Sequence, residues 1–105
     1  MNITISDAGS TVTVKLAGRL DLSGAENIDL PLATLSGSKH GIVIDMAEVT
    51  FIASIALRHL VAAAKAVQRR GGHLILLNPA AVVSEVVIAS GLTELLPIEY
   101  GPAPA

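Results

Sequence analysis

Histidines and carboxylates are the side chains of this 105-residue sequence that could perform acid–base or metal chemistry. The three histidines are His40, His59 and His73, and none follows another at the short spacing that places two ligands on one helix face. Cysteine is absent, which excludes disulfides, thiolate catalysis and cysteine-bound zinc. The sequence therefore predicts no metal site and no cofactor.

The carboxylates also lack a catalytic pattern. Asp21, Asp29, Asp45 and Glu48 are present, but no spacing pairs two of them as acid and base. No G-x-S-x-G nucleophile motif occurs, and Gly71-Gly72 ends a predicted helix and does not open a phosphate-binding loop. We therefore expect a binding protein and not an enzyme.

The composition narrows the class of partner. Apolar residues make up 51% of the chain, with Phe51 and Tyr100 as the two aromatics. The net charge of −2 gives no general attraction to nucleic acid or to acidic membranes. No signal-peptide pattern follows Met1, and no apolar run approaches the ~20 residues of a membrane span. These features predict one soluble, cytoplasmic domain.

The first third of the chain predicts a hairpin followed by a helix. Apolar residues alternate with polar ones from Ile3 to Leu16, around a turn-like Asp7–Ser10 segment. Ser23–Glu26 matches a capping box, which indicates a helix start. Pro31 should kink this helix or move its start later. Its predicted apolar stripe contains Ile28, Leu32 and Leu35.

The remaining elements alternate between strands and helices. They are a buried strand at Ile42–Met46, a helix at Ser54–Arg70, a strand at His73–Leu77, a helix from Asn78-Pro79 to Ser90-Gly91, and a short strand at Leu95–Ile98. This order predicts an α/β domain with a mixed sheet and helices packed mainly on one face. Residues 101–105, rich in Pro, Ala and Gly, should form a flexible tail.

One segment carries a family resemblance. Residues 42–58 read IVIDMAEVTFIASIALR, and the pattern strand-Asp, loop, V-x-F-hydrophobic-x-S-x-x-L resembles the signature of STAS domains. Anti-sigma factor antagonists are the class it resembles most. Gly18–Asp21, Gly72–Asn78 and Ser90–Leu92 also fall at family positions. The resemblance implies a STAS domain over residues 1–100.

The resemblance also implies a function and a modification site. Members of this class bind a kinase-type anti-sigma factor, which releases a sigma factor and so regulates transcription. Their D-S-S-G motif aligns with Ala53-Ser54-Ile55-Ala56, so the usual phosphorylated serine is replaced by Ile55. Ser54 is therefore the candidate phosphorylation site of this chain.

Helical periodicity predicts which residues face the partner. Leu57, Leu60, Val61, Ala64 and Val67 form one apolar stripe that should face the sheet. The predicted partner surface lies off this stripe, beside an Asp45–Thr50 loop, and contains Ser54, Ile55, Arg58 and His59. The family resemblance implies that Asp21 belongs to the same surface.

Three of these surface residues keep a purely structural alternative. Ser54 could act only as a helix N-cap, Ile55 could cover the helix start, and Asp21 could stabilise a local turn.

Two other functions stay open from the sequence. One is a STAS subunit of another assembly, such as the partner of a transporter ATPase or a stressosome-like scaffold. The other is a small-ligand or nucleotide-binding module, with helix N-termini as anion sites. The sequence leaves the oligomeric state open.

Overall fold

A computed structural model of the chain describes residues 1–103, which form a five-stranded sheet with three helices. The strands are β1 (Asn2–Ala8), β2 (Thr11–Leu20), β3 (Gly41–Ile52), β4 (His73–Leu77) and β5 (Ile98–Glu99). The helices are α1 (Leu22–Ser36), α2 (Ser54–Arg69) and α3 (Ala81–Ala89). Part of the predicted flexible tail, residues 104 and 105, lies outside the described residues, and the tail stays a prediction.

The predicted N-terminal hairpin is confirmed. β1 and β2 pair antiparallel, and Gly9 turns the chain with φ +80°. The Asp7 carboxylate accepts a hydrogen bond from the Gly9 N–H at 2.9 Å and contacts Lys39 Nζ at 2.7 Å, which links the turn to the loop before β3. Ile5 is 47% exposed, because β1 is an edge strand that the helices do not cover fully.

The sheet has one buried face, on which aliphatic side chains of neighbouring strands lie side by side. β2, β3 and β4 are parallel, and their register aligns Val12 with Ile42 and Leu74, all of which are buried. The β2–α1–β3 and β3–α2–β4 connections run in one direction across the sheet. Because such crossovers are right-handed, α1 and α2 lie on the same face. The predicted α/β fold with a mixed sheet is confirmed.

β3 is longer than predicted. The expected loop from Asp45 to Thr50 is strand, since β3 continues to Ile52. The register shows a bulge, because Lys15 pairs with Asp45 while Ala17 pairs with Glu48. The Asp45 carboxylate accepts a hydrogen bond from the Ala47 N–H at 3.2 Å within this bulge. A bulge interrupts the alternation of apolar residues, so the continuation was not visible as a period-two pattern.

The start of α1 also differs from the prediction. Asp21, not Ser23, is the N-cap, and its carboxylate accepts a hydrogen bond from the Gly24 N–H at 2.9 Å. The predicted capping box is therefore wrong by two residues. Pro31 lies inside α1 and does not move its start later. The predicted buried stripe of α1 is confirmed for Ile28 and Leu32, while Leu35 is half-buried.

The buried face of α2 is rotated slightly from the predicted stripe. Leu57, Leu60, Ala64 and Val67 are buried as expected, but Val61 is only half-buried. Two alanines, Ala56 and Ala63, are buried in addition. Small side chains contribute little to a hydrophobic stripe in the sequence, yet they allow a helix to approach its neighbour closely.

The last strand begins later than predicted. Residues 93–96 form a turn, and β5 consists of Ile98 and Glu99, which pair with Leu76 and Leu77. Leu96 is fully buried and joins the hydrophobic core. Its apolar character therefore reflects burial in the core and not strand pairing.

Candidate functional site at the start of the second helix

The candidate site lies at the edge of the sheet where the parallel strands end. β2 ends at Leu20 and β3 at Ile52, and these two residues are paired. The Ala53 N–H donates to the Leu20 carbonyl oxygen at 2.8 Å, which ties the start of α2 to the strand that leads into α1. The structure therefore brings Asp21 and Ser54, both predicted site residues, to the same edge.

Ser54 is exposed at the first position of α2. The N-cap is Ala53, with extended backbone (φ −93°, ψ 159°) and no side-chain cap hydrogen bond. The interpretation of Ser54 as an N-cap is therefore wrong by one residue. Its hydroxyl is not used for capping, and it lies at the helix end where the backbone dipole favours negative charge.

Ile55 is less exposed than the helical periodicity indicated. It is half-buried and packs against the hydrophobic core. The expectation of an exposed Ile55 is thus corrected, because part of its side chain is covered by the core residues it packs against. The structural alternative, in which Ile55 covers the helix start, agrees with this burial.

His59 points away from Arg58. Its Nδ1 lies 3.4 Å from Asp29 Oδ1 on α1, and its side chain is only 23% exposed. One residue along a helix turns the side-chain direction by about 100°, so neighbours in sequence reach different surfaces. His59 therefore belongs to the α1–α2 interface, and the structure does not bring it together with Arg58.

Arg58 lies on an open groove of about 570 Å³ that runs along α2. One wall is formed by α2 and the other by the segment after α3. The groove is lined by Ser54, Leu57, Arg58, Val61, Ala62, Lys65, Arg69, Ser90 and Leu92. Sequence reasoning did not assign Lys65 and Arg69 to the site. The spacing of the three α2 cations was the available signal, because it places them on one helix face.

Asp21 is held by two local interactions. One carboxylate oxygen caps α1, and the other lies 3.8 Å from Arg19 Nε. The Arg19 guanidinium also lies over the Phe51 ring, 4.3 Å from its centroid. Phe51 is 36% exposed. Asp21 thus has a structural role as the N-cap of α1. It lies at the same edge of the sheet as Ser54.

The charged groups with displaced pKa values lie elsewhere on the surface. A hydrogen bond from Lys39, assisted by the Gly9 N–H, lowers the pKa of Asp7. A hydrogen bond to Glu48 raises the pKa of Lys15. These shifts come from ion pairs on the sheet and its hairpin turn.

Two further findings concern residues 1–103. Within that range, no three His, Asp or Glu side chains converge as a metal site would require. None of the described helices combines the length and apolar character needed to cross a membrane.

A family model described as "Mlab, STAS domain" matches residues 3–97. The chain belongs to the STAS family. No curated protein matches the sequence significantly.

Solved structures share the STAS fold of this chain. The unphosphorylated anti-sigma factor antagonist SpoIIAA has a TM-score of 0.84 at 23% identity, covering 96% of this chain and 89% of that one. The phosphorylated form of SpoIIAA from Bacillus has a TM-score of 0.78 at 22% identity, covering 96% of this chain and 92% of that one. An anti-sigma factor antagonist from Mycobacterium paratuberculosis has a TM-score of 0.81 at 20% identity, covering 96% of this chain and 86% of that one.

Proposed function

We propose that this STAS domain is an anti-sigma factor antagonist that binds a kinase-type anti-sigma factor and thereby releases a sigma factor. It acts by binding and not by catalysis. The observation that carries the proposal is the exposed, uncapped start of α2, where Ser54 lies at the position aligned with the family's serine motif. Several proteins of similar fold are described as anti-sigma factor antagonists, which supports the same class of partner.

Ser54 is the proposed acceptor of phosphate from the partner kinase. Its hydroxyl is exposed, whereas Ile55 has no hydroxyl and is half-buried. A phosphate adds about −1.5 to −2 charges at neutral pH, and a helix N-terminus stabilises such charge. Arg58, about one turn further along α2, adds a cation on the same groove. The phosphate would place new charge in the partner interface, and would therefore weaken the complex.

The proposal is tested with a kinase-type anti-sigma factor from the cells that make this chain. The two purified proteins should form a complex by calorimetry, and mass spectrometry after incubation with ATP should find phosphate on Ser54. Ser54→Ala should abolish phosphate incorporation. Ser54→Asp should weaken binding roughly tenfold or more, about 1.4 kcal/mol, because the introduced carboxylate must give up its water where the partner docks.

The matched control is Ser6→Asp, which changes an exposed serine on the edge strand β1. It should leave binding unchanged. Failure of the wild-type proteins to associate would overturn the proposed function. A stable complex without phosphate, and with unchanged affinity in Ser54→Asp, would reject the switch at Ser54 while leaving the antagonist function standing.

Arg58→Ala tests the electrostatic part of the interface. Arg58 is exposed, so its loss should weaken association mainly at low ionic strength, where screening is weakest. Ile55→Asp is a poorer test, because the half-buried position would lose stability as well as partner contact. An affinity equally affected at low and high salt would argue against a steering role for Arg58.

A second candidate is a STAS subunit of another assembly. The matching family model carries the name Mlab and is not described as an anti-sigma factor antagonist. Affinity purification of the tagged chain from its native cells distinguishes the two. Recovery of a transporter ATPase in stoichiometric amount would favour the second candidate over the first.

A further inference from the structure

The groove along α2 carries a line of cations. Arg58, Lys65 and Arg69 all line it. Steps of seven and four residues return to within about 20–40° of the same direction on an α-helix, so the three side chains form one row. The row extends about 16 Å along the helix axis, since each residue rises by ~1.5 Å.

This positive charge is not balanced locally. The sequence has seven Lys and Arg and a net charge of −2, yet three of the seven lie on this single groove. No acidic residue lines the groove. Within residues 1–103, the ion pairs involve Lys15, Arg19, Lys39 and His59, and none of the groove cations. The groove is therefore a positive strip on an acidic protein.

Between the cations and the opposite wall, the groove is apolar. Leu57 and Val61 contribute from α2, and Leu92 contributes from the segment after α3. Val61 and Leu92 are only half-buried, so apolar surface faces the open groove. A ligand that complements it must combine an apolar stripe with negative charge beside that stripe.

We infer that the groove binds an acidic amphipathic helix of a partner protein. The extent of the charged row favours a helix over a small amphiphile, because one anionic head group could neutralise only one or two cations spaced over ~16 Å. A helix lying along α2 can place carboxylates at the same spacing, seven and then four residues apart, next to its own apolar stripe. This inference goes beyond the proposed function, since it does not require the partner to be an anti-sigma factor.

A synthetic peptide provides the probe. It has 16 residues, with Glu at positions 2, 9 and 13, Leu along the neighbouring stripe, and Ala elsewhere. A second peptide reverses the spacing, with Glu at positions 4, 8 and 15, to test the opposite orientation. Binding of the labelled peptides to the intact chain is measured by fluorescence anisotropy at low salt. We expect saturable binding of at least one peptide, and at least tenfold weaker binding of its version with Lys in place of Glu.

Matched variants of the chain locate the site. Lys65→Glu should weaken peptide binding roughly tenfold, since it turns a close attractive charge pair into a repulsive one. Lys15→Glu makes the same substitution on an exposed strand residue away from α2, and should change the affinity less than twofold. Ala62→Glu, in the groove itself, should also weaken binding. Circular dichroism of each variant verifies that the fold is retained.

Three outcomes would overturn the inference. The first is equal affinity for the Glu and Lys peptides, or equal effects of Lys65→Glu and Lys15→Glu. The second is stoichiometric binding of sodium laurate, lost in Lys65→Glu, without peptide binding, which would identify a small amphiphile. The third is a dimer of the chain that Lys65→Glu dissociates, which would make a second copy the occupant. Because none of these measurements contains the anti-sigma factor, their failure is separable from failure of the Ser54 experiments.

Discussion

The starts of α1 and α2 lie at the same edge of the sheet but are built in opposite ways. At α1, the Asp21 carboxylate accepts a hydrogen bond from the Gly24 N–H. At α2, the equivalent N-cap is Ala53, which has no side chain able to accept one. The start of α1 is therefore capped by a side chain, while the start of α2 keeps its backbone N–H donors and the Ser54 hydroxyl available.

The stability of α2 comes from packing and not from a side-chain cap. A side-chain cap contributes about 1 kcal/mol and occupies the donors of the first turn. α2 lacks that contribution, but its six buried residues anchor it in the core: Ala56, Leu57, Leu60, Ala63, Ala64 and Val67. A helix held by packing can leave its N-terminus open to a partner.

The largest expected effect comes from removing the packing that anchors α2. Leu60 is fully buried, so Leu60→Ala should reduce the free energy of unfolding by about 2–5 kcal/mol in urea denaturation. Leu30, on α1, is 75% exposed, and Leu30→Ala should change it by less than ~0.5 kcal/mol. Similar losses in the two variants would mean that α2 is not anchored as described.

The next effect concerns the close approach of α1 to the end of β2. A Cβ atom at Gly24 would collide with the Arg19 carbonyl oxygen, which is backbone and cannot move aside cheaply. Gly24→Ala should therefore destabilise the domain by about 1–3 kcal/mol. At the other end of α1, Gly37 has only ordinary contacts at 3.6 Å. Gly37→Ala should be neutral or stabilising. Urea denaturation of both variants measures the two changes, and a loss in Gly37→Ala equal to that of Gly24→Ala would contradict the steric argument.

Exchanging the caps tests the comparison directly. Asp21→Ala removes the side-chain cap of α1 and should cost about 1 kcal/mol. Ala53→Asp supplies a cap to α2, where the extended backbone already suits one, and should stabilise by a comparable amount. Chemical denaturation of both variants measures the two changes. Loss of stability in Ala53→Asp would show that the start of α2 cannot accept a side-chain cap.

The smallest effect is expected at Ser54. Because its side chain makes no capping bond, Ser54→Ala should alter the free energy of unfolding by less than ~0.5 kcal/mol. The same variant should lose phosphate incorporation, so that stability and modification respond separately. A loss near 1 kcal/mol would instead indicate that Ser54 caps the helix in solution.

The sequence alone determined the elements whose signals are local. Alternation identified the hairpin, and the apolar run at Ile42–Met46 identified the central strand. Helical spacing identified α2 to within one residue of Arg69. The pattern of residues 42–58 predicted the family, which the match over residues 3–97 confirms.

Tertiary structure alone decided the features that depend on distant contacts. The β3 bulge requires pairing with β2. The half-burial of Ile55 and the turn of His59 toward Asp29 depend on how α2 rests on the sheet and on α1. The groove needs both α2 and the segment after α3. Periodicity gives the direction of a side chain from its own helix axis, but only packing decides what lies in that direction.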